Sequence, residues 1–308
     1  MIPHSCGHRS CPHCQHHESE QWLERQRRLQ VPAEYFLLTF TLPAELRPLA
    51  FRQARAVYAA LFAAAWATVQ TFCRHDRQLK GEAGAVAVLH THSRRLDLHP
   101  HVHLAMPAAT LDARSRRWRT KTGYLFSHKA LAKVFRGKLL AALKKAGLAL
   151  PGQLPVKWVV DCKSVGNGEK ALLYLGRYLY RGVIRESDIL SCENGQVSFG
   201  YRDSQSGEMK VRTLPGADFL RLILQHVLPK GFRRSRNYGF LHPNRKSLIA
   251  LLHIVLKIAP RTTPVEIKPR PAFLCLCCGT PMRVIRRRIP VAAVKRRSSP
   301  HATAEAAV

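Results

Sequence analysis

The sequence predicts an α+β protein, in which an antiparallel sheet carries helices on one face. Strand-like and helix-like segments alternate between residues 31 and 214, and several neighbouring strand-like segments are separated by short polar turns. Such turns join antiparallel strands, and this mixture of hairpins and helices is typical of the α+β class. Apolar residues make up 46% of the 308 residues, enough to bury a substantial core. The patterns do not predict the order of the strands.

The individual elements follow from side-chain periodicity. Clusters of β-branched and aromatic residues, and polar–apolar alternation, predict strands at 35–42, 84–90, 99–106, 156–162, 196–201 and 208–213. Helical spacing of apolar residues predicts helices at 18–28, 52–72, 129–146 and from 167 or 168 to about 181. A further helical stretch at 216–259 is interrupted by a basic segment at 230–236.

These elements divide the chain into four regions. A Cys- and His-rich segment, 1–29, precedes the main α+β domain at 30–215. A helical, basic region follows at 216–262. The last region, 263–308, holds a Cys-x2-Cys motif and a basic tail, whose serine, alanine and charged residues are typical of disorder.

The charge of the chain indicates a polyanionic partner. Its formal net charge is +31, spread along the whole sequence, and nucleic acid is the commonest partner for such a surplus. An anionic membrane surface or an acidic protein is the alternative. The first residues are polar, and the longest apolar runs, 59–69 and 248–258, are shorter than the roughly 20 residues of a membrane span. We therefore expect DNA as partner, no membrane, and a cytoplasmic, nucleoid-associated location in a bacterium.

Alternating histidines give the sharpest chemical signal. In a strand, His99, His101 and His103 would lie on one face, with apolar residues packed behind them. Asp97 continues the row if the strand begins that early. Two imidazoles at i and i+2 make a compact pair of ligands for a divalent metal. An exposed polar strand face is the plain alternative.

A pair of tyrosines gives the second signal. Tyr174 and Tyr178 lie one helical turn apart and share a stripe, which Arg177 and Arg181 flank. A tyrosine hydroxyl can act as a nucleophile, but its ordinary pKa of about 10 means that it needs a nearby cation or base. An amphipathic helix with aromatic residues at the edge of its buried face is the plain alternative. Together, a metal, a nucleophile and basic side chains suit attack on a phosphodiester.

The order of these motifs resembles the HUH endonuclease superfamily, and the insertion-sequence-91 family of transposases in particular. The motifs are CGHRSCPHCQ at 6–15, FLLTFTLP at 36–43, the histidine pair in LHPHVHLA at 98–105, YLGRY at 174–178 and RRSRNYGFL at 233–241. Each motif is weak alone, but the ordered set is specific. The resemblance spans residues 4 to 285, nearly all of the ordered chain.

The resemblance implies an HUH nuclease domain with an RNA-recognition-like sheet, and rolling-circle-like DNA transposition. Attack by Tyr174 or Tyr178 on a single-stranded transposon end would give a 5′-phosphotyrosine link and a free 3′-OH. The family's metal is Mg²⁺ or Mn²⁺, here on His101 and His103, and its variable third ligand would be His99 or Asp97. The alternatives are an inactive or truncated zinc-containing DNA-binding protein and a rolling-circle replication initiator.

Clustered cysteines indicate structural zinc, which takes four Cys or His ligands. Cys6, Cys11 and Cys14 supply three, and a nearby histidine such as His4 could supply the fourth. The family usually carries more cysteines upstream, so we expect the segment to be truncated or degraded. Cys275 and Cys278 form a Cys-x2-Cys pair that would need distant ligands.

The basic C-terminal half offers candidate DNA contacts. Phosphates could be contacted by the cations of one short segment, and unpaired bases could stack on the aromatic residues after it. These residues are Lys230, Arg233, Arg234 and Arg236, followed by Tyr238 and Phe240. A solvated loop is the plain alternative. No Walker-type GxxxxGK[ST] motif occurs, so a strand-separating helicase would come from the host.

Overall fold

A seven-stranded sheet organises the structure, a computed structural model that describes residues 15–180, 182–204, 206–258, 273–275 and 277–282. Its strands are β1 (Tyr35–Thr41), β2 (Glu82–His92), β3 (Leu98–Pro107), β4 (Ala109–Asp112), β5 (Arg117–Thr120), β6 (Val160–Ser164) and β10 (Ser235–Gly239). Six of them follow the order β5-β4-β2-β3-β1-β6. The seventh, β10, pairs with residues 84–88 of β2, next to the short pairing of residues 82–83 with β4. All of these pairs are antiparallel.

Helices cover both faces of this sheet. The helices are α1 (Gln15–Arg28), α2 (Arg47–Arg52), α3 (Ala54–His75), α4 (His128–Lys145), α5 (Glu169–Tyr180), α6 (Gly216–Leu224) and α7 (Lys246–Leu256). On one face, α3 and α4 pack against Leu38 and Phe40 of β1. On the other, α1, α5 and α7 pack against Val86 and Val88 of β2. The expectation of helices on a single face is wrong, because successive residues of β2 are apolar on both sides and both faces must be covered.

A smaller sheet packs beside the main one. It contains β7 (Ile189–Glu193), β8 (Gln196–Arg202) and β9 (Met209–Pro215) in sequential antiparallel order. Phe199 of β8 and Phe219 of α6 share its core with Leu96, which lies in the turn between β2 and β3. The small sheet therefore abuts that turn. A separate compact unit holds the short hairpin of β11 (Phe273–Leu274) and β12 (Pro281–Met282).

The predicted α+β class is confirmed, with local differences. The strand expected at 156–162 begins only at Val160, and neither the short β4–β5 hairpin nor β7 was predicted. The basic segment expected to interrupt helices ends in β10, which joins the main sheet through β2. The region 216–262 therefore contributes a strand to the sheet of the preceding region.

The long helix α3 forms part of the core. Among the described residues it is the one helix that is long and apolar enough to cross a membrane, by length and composition. Its buried side chains, such as Leu61 and Phe62, pack in the core of the sheet. Burial against the sheet therefore accounts for its apolar character.

Candidate active site

Three histidines on two adjacent strands form a cluster. His101 and His103 lie on β3, and the antiparallel register places His90 of β2 opposite His101. The three offer one ligand nitrogen each, and these nitrogens lie within 4.8 Å of one another. The cluster therefore offers three nitrogen ligands at one point of the sheet.

Hydrogen bonds orient the rings and leave nitrogens available. Nδ1 of His101 donates to the carbonyl of His99 (2.7 Å), so in the neutral ring the lone pair lies on Nε2. The Thr39 hydroxyl is hydrogen-bonded to Nδ1 of His103 (2.9 Å). Nε2 of His103 and Nε2 of His90 are buried without a hydrogen-bond partner among the described residues, although buried polar atoms are usually paired. A metal ion would satisfy both nitrogens.

Burial keeps these imidazoles neutral. It lowers the pKa of His101 to about 4 and the pKa of His103 to about 3. It also lowers the pKa of His90 well below its usual range. Because neutral imidazole is the form that binds metals, the residues present fit a divalent metal ion.

The two residues that the sequence offers as a third ligand make other contacts. His99 is hydrogen-bonded through Nδ1 to the Arg47 guanidinium (2.9 Å). Asp97 accepts a hydrogen bond from Arg212 (2.9 Å). The position beside His101 and His103 is taken by His90. The geometry therefore favours His90 over both sequence candidates.

Both predicted tyrosines lie against the histidine cluster. The Tyr178 ring stacks on His90, with centroids 4.0 Å apart and planes at 14°. The Tyr174 ring lies 5.9 Å from His90, 5.9 Å from His103 and 5.2 Å from Tyr178. Burial, followed by the neighbouring Tyr178, raises the pKa of Tyr174 to about 12, against an opposing effect of Arg94. The Tyr174 hydroxyl is therefore neutral at pH 7 and needs activation to attack.

Helix α5 holds the tyrosines in place through its opposite stripe. Leu172, Leu175 and Leu179 are buried in the core under the sheet. Gly176, between the two tyrosines, lets the Trp22 ring of α1 approach so closely that an added Cβ would lie 3.2 Å from it. Arg177 is exposed. The predicted residue Arg181 lies outside the described residues.

A basic groove runs beside the end of α5. The cavity has a volume of about 1700 Å³ and is lined by residues from α1, β10, α7 and the segments between them. Its cationic lining residues are Arg25, Arg28, Arg55, Arg233, Arg234, Arg236 and Lys246, and none of its described lining residues is Asp or Glu. Of the six cations predicted to contact DNA, which include Arg177 and Arg181, three of the four in segment 230–236 therefore line one groove. The fourth, Lys230, is exposed and accepts a hydrogen bond from Arg55 through its carbonyl.

The aromatic residues after this basic segment differ in accessibility. Tyr238 lines the groove and stacks on Trp66, with centroids 5.0 Å apart and planes at 13°. Phe240 is fully buried against Trp118. The expectation that Phe240 stacks on bases is therefore wrong, because β10 turns that side chain into the core.

Besides His90, sequence reasoning missed three residues of this site. His92 follows His90 by two positions, and its ring stacks on Tyr178 at 5.5 Å. His226 lies 5.4 Å from His92 and lines the basic groove. Arg94, in the β2–β3 turn, acts electrostatically on Tyr174. For His90 and His92 the sequence did carry a signal, the alternation His-Thr-His at the end of a predicted strand.

The predicted zinc ligands are only partly described. Cys6, Cys11, Cys14 and His4 lie outside the described residues. Cys275 and Cys278 belong to the β11–β12 hairpin, in which Cys278 Sγ lies 2.9 Å from the Thr280 hydroxyl. Hydrogen bonds from Thr280 lower the pKa of the Cys278 thiol.

Two family matches accompany this geometry. Residues 84–247, more than half of the chain, match the family described as "Putative transposase". Residues 1–42 match the "Transposase zinc-binding domain" of the insertion-sequence-91 type. The chain belongs to this transposase family. The 84–247 match contains the three clustered histidines and both tyrosines.

Relatives within the transposase family are similar over most of the chain. The chain is 34% identical over 261 residues to "Putative transposase y4qJ" of Sinorhizobium fredii (strain NBRC 101917 / NGR234), covering 77% of this chain and 66% of that relative. It is 31% identical over 324 residues to "Transposase for insertion sequence element IS801" of Pseudomonas savastanoi pv. phaseolicola, covering 91% and 76%. The chain thus spans just under two thirds of the first relative's length.

Solved structures show a looser likeness. The transposase resembles the conjugative relaxase TrwC complexed with a 27-mer DNA that comprises the recognition hairpin and the cleavage site, at 14% identity and a TM-score of 0.30 over 72% of each chain. It also resembles metal-free TrwC in complex with OriT DNA, at 15% identity and a TM-score of 0.31 over 72% of each chain. Similarity at this level is too weak to support a statement about chemistry.

Proposed function

We propose that this transposase cleaves and joins single-stranded DNA at transposon ends through Tyr174 and Tyr178, in rolling-circle-like transposition. The observation that carries the proposal is the convergence of both tyrosines on the histidine cluster, with Tyr178 stacked on His90 at 4.0 Å. A nucleophile beside a buried nitrogen cluster that fits a metal is suited to phosphodiester attack. An inactive DNA-binding remnant would have no need of this arrangement.

The reaction would proceed by transfer of a phosphoryl ester to tyrosine. The hydroxyl oxygen of Tyr174 or Tyr178 loses its proton to water and attacks phosphorus, forming a tyrosyl O–P bond and breaking the bond to the 3′ oxygen. The 3′ oxygen leaves and takes up a proton, giving a 3′-OH, while the 5′ phosphate stays on the tyrosine. Since the two tyrosines lie one helical turn apart, the second can take part in a later strand transfer.

The histidine cluster would hold the divalent ion. His90, His101 and His103 supply the three nitrogens, and Thr39 and the His99 carbonyl orient two of the rings. When bound, the ion would polarise the phosphodiester and stabilise charge on its oxygens. Mg²⁺ prefers oxygen ligands, whereas imidazole suits transition metals. Of the two ions that the family resemblance implies, this donor set favours Mn²⁺.

The DNA strand would be held by positive charge. The basic groove lies beside the end of α5, and its described lining holds seven cationic side chains, of which Arg28 is ion-paired with Glu24 (3.0 Å). Such a groove suits the backbone of a single strand, while Tyr238 provides an aromatic surface at its wall. Strand separation would come from a host helicase, and the protein would act in the bacterial cytoplasm on the nucleoid.

Structural zinc would belong to the N-terminal segment. Its match to the transposase zinc-binding domain supports Cys6, Cys11 and Cys14 as ligands, with His4 as a candidate fourth ligand. Cys275 and Cys278 are a second candidate pair, with the spacing of a zinc knuckle.

A labelled-strand assay tests the function. Single strands copied from the DNA that flanks the gene are incubated with the full chain and Mn²⁺, carrying a label at either the 5′ or the 3′ end. We expect a denaturation-resistant protein–DNA adduct that retains the 3′ label only, because the 5′ phosphate stays on the tyrosine. The double variant His101→Ala/His103→Ala should bind the strand but form no adduct. Undiminished metal-dependent cleavage in that variant would contradict the assignment of His101 and His103 as metal ligands.

A further inference from the structure

A second, smaller cavity adjoins the basic groove, with which it shares the lining residues Gly182, Val183 and Ile184. It has a volume of about 460 Å³ and lies between the β2–β3 turn and the small sheet. We call it the turn cleft, and define it by Ser93, Arg94, Tyr178, Tyr201 and Arg202. Tyr178 is a wall of this cleft and also stacks on the histidine cluster. A molecule in the turn cleft would therefore touch a proposed nucleophile.

The walls of the turn cleft are fixed to each other before any ligand binds. Arg212 of β9 donates to the carbonyl of Arg95 (2.7 Å) and forms an ion pair with Asp97 (2.9 Å). Gln225, just after α6, donates to the carbonyl of Leu96 (3.0 Å). These contacts clamp the turn onto the small sheet. A preformed cleft loses little ordering entropy when it binds a ligand.

The charge of the turn cleft suits a phosphate. Among the described residues, three arginines line it, against one carboxylate, Asp188. Arg185 engages that carboxylate through two hydrogen bonds of 3.0 and 2.7 Å, so the pair is neutral. Arg94 and Arg202 are exposed and supply the remaining positive charge. Guanidinium groups bind phosphate oxygens in a planar, two-pronged geometry.

The size and lining of the turn cleft suit one nucleotide. Its volume falls within the roughly 300–1000 Å³ of small-ligand pockets and is too small for a duplex. The half-buried Tyr201 offers an aromatic face on which a base can stack.

We propose that the turn cleft binds one nucleotide of the single strand, immediately beside the phosphodiester that Tyr174 or Tyr178 attacks. Arg94 and Arg202 contact its phosphate, and Tyr201 stacks on its base. This inference rests on the proposed function, and it adds a nucleotide-binding site that adjoins the basic groove.

Binding of an oligonucleotide tests the charge of the turn cleft. The full chain and its Arg94→Ala/Arg202→Ala variant are titrated with a fluorescent 12-nucleotide oligo-dT, with folding checked by thermal melting. The control is Arg114→Ala, an exposed arginine in the β4–β5 turn that lines neither cavity.

We expect about tenfold weaker binding in the double variant. Its slope of log affinity against log salt should become shallower by about 0.7 for each phosphate that the protein no longer neutralises. The control should bind within about twofold of the parent chain.

Photo-crosslinking tests the place of the nucleotide. The flanking-DNA strand carries one 4-thiothymine at successive positions around the cleavage point, and crosslinked peptides are mapped by mass spectrometry. We expect a crosslink in β8 only when the modified base adjoins the cleaved phosphodiester, and its loss in Tyr201→Leu. Parent-like binding in the double variant, or no crosslink in β8, overturns the turn-cleft proposal, even with a normal adduct yield. Weakened binding and a β8 crosslink without any adduct overturn the proposed function instead.

Discussion

His90 joins the metal cluster to the nucleophile helix. Its ring lies 4.4 Å from His103 and 5.1 Å from His101 on one side, and 4.0 Å from Tyr178 on the other. Its Nε2 is buried without a hydrogen-bond partner among the described residues. These contacts make it the geometric candidate for the third ligand.

Substitution of His90 should therefore weaken metal binding. We expect His90→Ala to lower the affinity of the full chain for Mn²⁺ by at least about tenfold, because one of three nitrogen ligands is removed. His99→Ala is the matched control, since that ring bonds to Arg47, and it should change the affinity by less than about threefold. Calorimetric titration with Mn²⁺ measures both. A large loss of affinity in His99→Ala with none in His90→Ala would show that His99, and not His90, is the third ligand.

The sequence predicted part of the site because part of it is local. His101 and His103 share one strand, so alternation alone places them on one face. His90 reaches them only through the β2–β3 register, which also contains an irregularity between His90 and His92. The position of Arg94 near Tyr174 depends on the fold of the β2–β3 turn, which no periodic pattern in the sequence predicts.

At the scale of elements, α1 supports the nucleophile helix. Ser19 donates to the carbonyl of Gly176 (3.1 Å), and the Trp22 ring covers the same glycine. Arg27 forms an ion pair with Glu169 at the start of α5 (2.7 Å). The helix within the Cys- and His-rich segment 1–29 is thus packed directly behind the two tyrosines.

A larger side chain at Gly176 should separate these helices. We expect Gly176→Leu to lower the free energy of unfolding by about 1–3 kcal/mol, because the side chain must displace Trp22. Gly137→Leu is the control, since Gly137 lies in α4 with nothing within 4 Å of an added Cβ. It should raise stability by about 0.5–1 kcal/mol through helix propensity. Urea denaturation compares them, and equal stability of the two variants would show that α1 does not pack on α5 as described.

Strand β10 shows why some elements escaped prediction. Its sequence, Ser-Arg-Asn-Tyr-Gly, is mostly polar and carries no apolar alternation. It forms because β2 presents an open edge, and because Gly239 can approach that edge where any Cβ would collide with the Ala83 carbonyl. Both conditions depend on the tertiary structure, so the sequence of β10 alone does not predict the strand.

At the scale of the whole molecule, the net charge predicts a polyanionic partner but not the surface that would bind it. A net charge of +31 indicated a polyanion, and the basic groove gathers part of that charge from segments about 200 residues apart. Trp22 donates to the Ser235 hydroxyl (3.1 Å), and Asn237 donates to Gln26 (3.1 Å). These contacts between α1 and β10 build the groove, and sequence periodicity cannot report them.

The zinc proposal also belongs to the whole chain. Protein purified without added metal should contain zinc by elemental analysis, and Cys11→Ser should lower the zinc content by at least half, because a three-ligand remnant binds weakly. Cys192→Ser, at an exposed cysteine of β7, should keep the full content. Equal zinc in the two variants, or zinc-free protein that folds and binds DNA normally, would count against the proposal.

The identity of the residue that carries the DNA tests the central claim most directly. The adduct formed with flanking-DNA strands is digested and its nucleotide-bearing peptide is sequenced by mass spectrometry. We predict the nucleotide on Tyr174 or Tyr178, and a fall of at least about a thousandfold in adduct rate when both are changed to Phe, which removes the nucleophilic oxygen but keeps the ring. Tyr124→Phe, at an exposed tyrosine remote from the cluster, should react normally. An adduct on any other residue, or undiminished adduct in the Tyr174→Phe/Tyr178→Phe variant, would contradict the account.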